Sequence, residues 1–260
     1  MLLSMLSQPG TFDSMSSLVA DKTDRWALFL DVDGTLLEIA ETPESVRVPP
    51  ELKTLLSNAS LQLQGALALV SGRPISDLDR LFAPLILPAA GVHGCERRNP
   101  DGTIVRPEVP SQVLAPVRQQ LHAFAARHPG LLVEDKGFGV ALHFRLAPEL
   151  GDDVHSLMRD LCRQLGPQFA LQFGKCVVEV RPTGFTKGTS IRAFMQLPPF
   201  AGRTPLFIGD DLTDEDGFVV VNELGGVSIK VGDAPTAAQR RLSSVRAVWR
   251  WIGDFVTRDS

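Results

Sequence analysis

The chain has 260 residues, of which 44% are hydrophobic and 22% are charged, and its formal net charge is −4. This length predicts one large domain or two modest ones, with the composition of an ordinary globular protein. The negative balance provides no basic surface for nucleic acid or for a membrane, and no apolar run approaches the ~18 residues of a membrane span.

The first residues of the chain and the cysteines indicate in which cellular compartment the protein is expected. Residues 1–24 lack the basic region of a signal peptide, and we expect them to form a flexible tail, with an internal start at Met15 as an alternative. Three cysteines, Cys95, Cys162 and Cys176, are too widely spaced for a zinc site or a disulfide framework. Reduced thiols and a cytoplasmic location are therefore expected.

Four short apolar runs predict strands that are buried on both faces of a parallel sheet. They are WALFLDV (26–32), GALALVSG (65–72), TPLFIGDD (204–211) and, more weakly, GVSIKVGD (226–233). Helical segments, PPELKTLLSNA and PISDLDRLF, follow the first two runs. Alternating strands and helices predict a doubly wound α/β domain, in which ligands bind at the carboxyl ends of the strands. Asp31, Ser71 and Asp210 stand at those ends.

The middle of the chain has a different pattern. An amphipathic helix (Val113, Val117, Leu121, Phe124) precedes a hairpin of LLVED and GVALHFR around KGF. A second helix (Val154, Leu157, Leu161, Leu165) precedes a hairpin of FALQF and CVVEVRP, with Gly174 in the turn. This order predicts a small antiparallel sheet with helices on one face. We expect residues 108–183 to be inserted into an α/β core made of residues 25–107 and 184–260.

Two acidic clusters raise the question of a metal. Asp31 and Asp33 are two residues apart, so in an extended chain both carboxylates point the same way and repel each other. GDDLTDED places Asp210, Asp211 and Asp214 at the end of another strand, ahead of Glu215 and Asp216, which suit the first turn of a helix. If the two strand ends are neighbours, their charge requires a hard divalent cation, and Mg2+ fits oxygen ligands.

Lys187 begins a predicted helix that runs from Thr186 or Lys187 through Met195. A cation at that terminus opposes the helix dipole, unless an anion such as phosphate binds there. Taken alone, Lys187 is a solvated side chain, Ser71 is a turn serine and Arg73 is a surface charge.

Four segments in order, DVDGT (31–35), VSGR (70–73), Lys187 and GDDLTDED (209–216), resemble the haloacid dehalogenase (HAD) superfamily of phosphotransferases. The resemblance implies a Rossmann-like core in which Asp31 attacks phosphorus and Asp33 is the general acid and base. It also implies Mg2+ held by the Asp31 carboxylate, the Asp33 carbonyl and Asp210, with Asp211 or Asp214 as further ligands. Ser71 and Lys187 would bind the phosphoryl oxygens.

The stretches LPAAGVHGCERR (87–98), ALHFR (141–145) and GKCVVEVRP (174–182) look like the bacterial trehalose-6-phosphate phosphatase family, over a span from Trp26 to Ile252. That resemblance implies an inserted αββαββ cap that closes over the disaccharide, and hydrolysis of trehalose 6-phosphate to trehalose and phosphate. The substrate-binding residues that it implies are Gly72, Arg73, His93, Glu96, Arg97, Glu134, Lys136, Lys175 and Glu179.

Two alternatives stay open at this point. One is a HAD phosphatase that acts on another sugar phosphate, such as sucrose phosphate. The other is a metal-dependent DxD glycosyltransferase, although Asp31 at a buried strand end, the DGT continuation and Lys187 argue against it. A small-molecule sugar phosphate is the expected partner, with no nucleic acid or membrane partner, and a monomer is expected because a large cap removes the need for a second subunit.

Overall fold

The structure is a computed structural model that describes residues 25–39, 46–174 and 176–257. The predicted tail at 1–24 and the candidate residue Lys175 lie outside the described residues. Contacts divide the chain into two compact units, one ending at Val105 and resuming at Phe185, the other spanning Arg106–Gly184.

The helices and strands follow one another in the predicted alternation. The first unit begins with β1 (Trp26–Leu30), α1 (Pro50–Gln62), β2 (Leu67–Val70), α2 (Ile75–Phe82), β3 (Ala89–Gly91), β4 (Glu96–Arg98) and β5 (Ile104–Val105). The second unit contains α3 (Ser111–Ala125), β6 (Leu132–Asp135), β7 (Val140–His143), α4 (Gly151–Leu165), β8 (Phe169–Gly174) and β9 (Val177–Pro182). The first unit resumes with α5 (Lys187–Phe194), β10 (Thr204–Gly209), α6 (Glu215–Glu223), β11 (Val227–Val231), β12 (Arg240–Leu242) and α7 (Val245–Thr257).

The first unit is built on an eight-stranded sheet in the order β12-β11-β10-β1-β2-β3-β4-β5. Strands β12 through β3 are parallel, and β4 and β5 are antiparallel additions at one edge. The predicted doubly wound core is therefore confirmed. β1 lies between β2 and β10, and Leu30 pairs with Ile208, so the carboxyl ends of the first and the third predicted strand meet side by side.

The core of this unit follows from the apolar runs. Every residue of β1 and β2 is buried, as expected for strands covered on both faces. Helix α1 packs against α7, and α5 packs against α6. None of the described helices is long and apolar enough to cross a membrane.

The second unit has a four-stranded antiparallel sheet in the order β6-β7-β9-β8. Helices α3 and α4 bury their apolar residues in one cluster with Val140, Leu142, Val178 and Val180. These four side chains share one sheet face, because alternate residues of a strand point the same way. The predicted αββαββ arrangement is therefore confirmed.

Two details of the second unit differ from the expectation. Val113 was predicted to be part of the apolar stripe of α3, but it is 36% exposed, and Leu114 is buried in its place. The helix begins at Ser111, and its buried face follows the spacing Leu114, Val117, Leu121. Gly174 was predicted in the hairpin turn, but it is the last residue of β8 and pairs with Val177.

Candidate active site

Asp31 is the first residue after β1 and is 4% exposed. Its backbone N–H donates to the carbonyl of Ile208 at 2.9 Å, which continues the parallel pairing with β10 beyond the last strand residue. Asp31 Oδ1 accepts a hydrogen bond of 2.7 Å from Lys187 Nζ. The strand end thus holds a buried carboxylate at the carboxyl edge of the sheet, where the topology predicts ligand binding.

Lys187 is 2% exposed and joins two carboxylates. Besides Asp31, its Nζ donates to Asp214 Oδ1 at 2.6 Å. The helix that it begins is capped by Thr186, whose hydroxyl accepts the N–H of Thr189. The conflict between the lysine and the helix dipole is therefore offset by two carboxylates, which the sequence did not reveal as its partners.

The acidic segment after β10 contributes two carboxylates to the same place. Asp31, Asp210 and Asp214 each bring one carboxylate oxygen within 4.8 Å of the others. Asp214 is fully buried, and its Oδ2 accepts the backbone N–H groups of Asp210 (3.0 Å) and Asp211 (2.9 Å). Asp211 itself is exposed, and its carboxylate is outside this group of three.

The pKa values of these groups reflect crowded negative charge. Burial raises the pKa of Asp31 to about 6, against the lowering effect of Lys187. Burial and repulsion by Asp31 raise the pKa of Asp214 to about 7, and burial raises that of Asp210 as well. Burial alone would lower the pKa of Lys187, but the two neighbouring carboxylates raise it above its ordinary value.

This donor set fits a hard divalent cation. Three carboxylates face the single ammonium of Lys187, so two negative charges are left over when all three are ionised. Oxygen-only ligation is what Mg2+ requires, and a divalent ion would balance the excess. The predicted ligands Asp31, Asp210 and Asp214 lie together here. That they bind a metal stays a prediction, as it does for the carbonyl of Asp33 and the side chain of Asp211.

Gly34 and Thr35 adapt the chain to this cluster. Gly34 has φ +84°, and a Cβ there would lie 2.0 Å from Asp210 Oδ2. Only glycine permits both the left-handed conformation and the close approach. Thr35 is fully buried and donates to Asp210 Oδ1 at 3.1 Å. In the sequence, Thr35 is visible only as part of DGT, and nothing in that pattern indicates this contact.

Asp33 and Arg73 form a pair that sequence reasoning missed. Arg73 Nε donates to Asp33 Oδ2 and Arg73 Nη2 donates to Asp33 Oδ1, each at 2.7 Å. Such a bidentate fork fixes the orientation of the carboxylate. Arg73, expected to bind substrate, thus contacts the expected general acid and base directly.

The VSGR turn (70–73) contains the candidates Ser71 and Gly72 and contacts a third, His93. Ser71 is buried and its Oγ accepts the backbone N–H of Arg73 at 3.1 Å. The His93 ring lies against Gly72, since a Cβ on Gly72 would be 2.7 Å from His93 Cε1. His93 has φ +51°, in the left-handed region, and its N–H donates to the Ser71 carbonyl. Backbone strain of this kind is concentrated at functional sites.

Glu96 and Arg97 lie on β4. Glu96 is 8% exposed, and its Oε2 accepts the N–H of Ile75 at 2.8 Å, which caps the start of α2. The guanidinium of Arg97 lies 5.9 Å from the centre of the Phe194 ring, and burial lowers its pKa. Both contacts order the segment that follows β3.

In the second unit, the candidate residues Glu134 and Glu179 share the sheet face opposite the helices. Glu134 and Glu179 both pair with Ala141, so their side chains point to the same side. Lys136 Nζ donates to Glu179 Oε2 at 2.6 Å, and the ring of His143 is 2.9 Å from Glu134 Oε2, which lowers the pKa of Glu134. Within the described part of the chain, the buried Oε1 of Glu179 has no hydrogen-bond partner.

Comparisons with known proteins address the family. The sequence profile of the trehalose-phosphatase family matches residues 29–246. The chain is 47% identical to trehalose-6-phosphate phosphatase from Escherichia coli over 233 residues, which are 90% of this chain and 87% of the relative.

Solved structures are similar as well. One described as a trehalose-6-phosphate phosphatase related protein has a TM-score of 0.71 and 25% identity, covering 88% of this chain and 96% of its own. A phosphatase of the haloalkanoate (HAD) superfamily from Bacteroides thetaiotaomicron, 18% identical, has a TM-score of 0.61 over 88% of this chain and 94% of its own. The second likeness shows the common fold.

Proposed function

The chain belongs to the trehalose-phosphatase family, and from this membership and the site geometry we propose that it works through an aspartyl phosphate formed on Asp31. As a member of this family, it is a phosphatase that releases phosphate from trehalose 6-phosphate, a step of trehalose biosynthesis. The observation that carries the proposal is the buried Asp31 carboxylate, held by Lys187 at 2.7 Å beside two further carboxylates.

In the first half of the reaction, a carboxylate oxygen of Asp31 attacks phosphorus and the bond from phosphorus to the sugar oxygen breaks. Asp33 donates a proton to the departing sugar oxygen. In the second half, Asp33 takes a proton from a water molecule whose oxygen attacks phosphorus, so that phosphate leaves and the Asp31 carboxylate is restored. A carboxylate is a competent nucleophile because its phosphate ester is itself easily hydrolysed.

Asp33 must change partners during this cycle. Both of its oxygens accept hydrogen bonds from Arg73, and a carboxylate engaged in that way cannot donate a proton. The pair therefore has to open before the first half of the reaction, and it can re-form around the ionised carboxylate that results. This role makes Arg73 a positioning residue for Asp33.

Mg2+ is proposed as the cofactor, with Asp31, Asp210 and Asp214 as its protein ligands and with the Asp33 carbonyl and Asp211 as further candidates. When bound, it would neutralise negative charge on the phosphoryl group, which is the main demand of phosphoryl transfer. Lys187 and Ser71 are proposed to contribute further positive charge and a hydroxyl toward the same oxygens.

We propose that the second unit recognises the sugar through Glu134, Lys136 and Glu179. Lys175, which lies outside the described residues, is a fourth candidate for this role. The Lys136–Glu179 pair orients both charged groups, and among the described residues the buried Glu179 Oε1 has no donor, which leaves it an acceptor for a sugar hydroxyl once the side chain is uncovered. Gly72, Arg73, His93, Glu96 and Arg97 are the candidates for contacts from the first unit. We further propose a cytoplasmic monomer, and the three free cysteines are consistent with the reducing compartment.

Phosphate release is the test of this function. With Mg2+ present, trehalose 6-phosphate should release phosphate far faster than glucose 6-phosphate or sucrose phosphate, and chelation should stop the reaction. Equal rates on all three substrates would contradict the assignment of the sugar. Because no nucleotide is supplied, phosphate release also contradicts the glycosyltransferase alternative, which the family membership already disfavours.

A further inference from the structure

Lys230 is a buried cation for which the reaction described above has no use. It lies on β11, is 2% exposed, and pairs in register with Gly209, the last residue of β10. An ammonium group withdrawn from water is unfavourable unless acceptors surround it. Its acceptors therefore indicate what this residue does.

The acceptors belong to the acidic segment that follows β10. Lys230 Nζ donates to the backbone carbonyl of Asp211 at 3.3 Å and lies 3.5 Å from Glu215 Oε1. The other oxygen of Glu215 accepts the N–H of Ala237 at 2.7 Å and the hydroxyl of Thr236 at 3.1 Å. One lysine and one glutamate thus connect β11, the acidic segment, the start of α6 and the chain near residue 236.

The contact to Asp211 leads directly to the carboxylate cluster. Asp211 lies between Asp210 and Asp214, and the N–H groups of Asp210 and Asp211 both donate to Asp214 Oδ2. The Asp211 carbonyl, which accepts from Lys230, therefore belongs to the same short segment as the two N–H groups that orient the Asp214 carboxylate. A displacement of the Asp211 carbonyl would move two of the three clustered carboxylates.

We propose that Lys230 is a positioning residue for the metal site: through the Asp211 carbonyl and Glu215 it fixes the 210–215 segment, so that Asp210 and Asp214 are presented to a divalent cation. This inference rests on the proposed function, because it assumes that the carboxylate cluster binds Mg2+. It gives Glu215 a supporting role as well, beyond that of an acidic residue in the first turn of a helix.

Two effects of Lys230 on metal binding have opposite signs. Its positive charge repels a cation, so removing only that repulsion would tighten Mg2+ binding. Its hydrogen bonds hold the ligand segment, so removing them would weaken Mg2+ binding. Residues that hold metal ligands in place without touching the metal typically contribute about 10- to 100-fold in metal affinity. We therefore expect positioning to outweigh repulsion.

The test is Mg2+ titration by calorimetry on the full chain without substrate, comparing Lys230→Met with the natural sequence. Lys230→Met should bind Mg2+ about 10-fold more weakly or worse, and phosphate release should recover at high Mg2+. Lys53→Met is the matched control, because Lys53 on α1 also donates to a backbone carbonyl, that of Ala83, at 2.6 Å. The control should bind Mg2+ as the natural chain does.

Glu215→Gln provides a second route if Lys230→Met does not fold. It keeps an oxygen for the Ala237 N–H and removes the charge that faces Lys230, so it too should weaken Mg2+ binding, and its circular dichroism spectrum shows whether it is folded. Unchanged or tighter Mg2+ binding in a folded variant of either residue overturns the inference. If the natural chain binds no Mg2+, the metal assignment itself fails, and the two failures are thereby distinguished.

Discussion

At the scale of single residues, the proposed mechanism depends on Asp31 and Lys187. They are 156 positions apart in the chain, and both are almost completely buried. A buried ion pair is sustained only when further hydrogen bonds satisfy both partners, and here Asp214 supplies the second contact to the lysine. The orientation of Lys187 therefore depends on both carboxylates, and each carboxylate is held in part by the lysine.

The nucleophile can be tested by Asp31→Asn. An amide cannot form the aspartyl phosphate, so we expect phosphate release to be lost while the circular dichroism spectrum stays unchanged. Asp101→Asn, which makes the same change in an exposed turn, should leave the rate as it is. Near-normal turnover by Asp31→Asn would contradict the mechanism.

Recognition of the sugar can be tested by Glu179→Gln, which keeps the shape of the side chain and removes its charge. A charged hydrogen bond contributes ~1.5 to 3 kcal/mol, so kcat/KM for trehalose 6-phosphate should fall by about 10- to 150-fold. A small aryl phosphate has no second sugar, and its slow turnover should barely change. Glu149→Gln is an exposed control in the same unit. A constant ratio between the two substrates would make Glu179 a structural residue.

At the scale of elements, the end of β1 and the end of β10 define the site because they are adjacent parallel strands. The β1–β10 pairing puts Asp31 next to the turn that carries Asp210, and Gly34 lets the chain after β1 pass within contact distance of that carboxylate. The Thr35 hydroxyl then adds a direct hydrogen bond across the two strand ends.

Gly34→Ala tests this close approach. The added methyl group would collide with Asp210, so Mg2+ affinity and phosphate release should both fall by about 10-fold or more. Gly102→Ala is a matched control, since Gly102 has φ +86° but has open space around the position of a Cβ. In both variants the alanine must adopt the left-handed backbone conformation, which costs ~1 to 2 kcal/mol of stability. Only Gly34→Ala should also lose Mg2+ affinity. Equal Mg2+ affinities would show that Asp210 is not a ligand.

The four main strands could be predicted because continuous apolar runs ended in polar residues. The strands β3 and β4 could not, since three residues are too few to show a period. The Arg73–Asp33 pair was equally hidden, because it joins residues 40 positions apart that meet only when β1 lies beside β2. Lys230 is visible in the sequence as a charge within an apolar run, but the identity of its acceptors depends on where the 210–215 segment lies.

At the scale of the whole molecule, the chain combines an α/β unit that holds the carboxylate cluster with an α+β unit that presents a polar sheet face. Removing the metal should leave the first unit with uncompensated charge, since Asp31 and Asp214 have pKa values of about 6 and 7 against an ordinary value of 3.8. The folded state therefore binds protons more tightly than the unfolded chain does, and this contribution to stability is lost as pH rises.

Thermal unfolding with a chelator present tests this charge balance. The contribution of the two carboxyl groups is fully present below about pH 4 and disappears as pH passes through about 6 and 7, so the melting temperature should fall between pH 5 and pH 8. Added Mg2+ should raise it most at pH 8, where the carboxylates are ionised. Asp214→Asn should flatten the dependence. A melting temperature that rises with pH over this range would contradict the assigned charges.

The most direct measurement of the central claim is to trap the enzyme during turnover. Enzyme mixed with trehalose 6-phosphate and Mg2+ is quenched in acid, reduced with borohydride, and mapped by peptide mass spectrometry, because borohydride converts an aspartyl phosphate into homoserine. The account predicts homoserine at position 31 and at no other aspartate, and none when glucose 6-phosphate replaces the substrate. Rapid phosphate release from trehalose 6-phosphate with Asp31 unmodified, or with homoserine at another position, would contradict it.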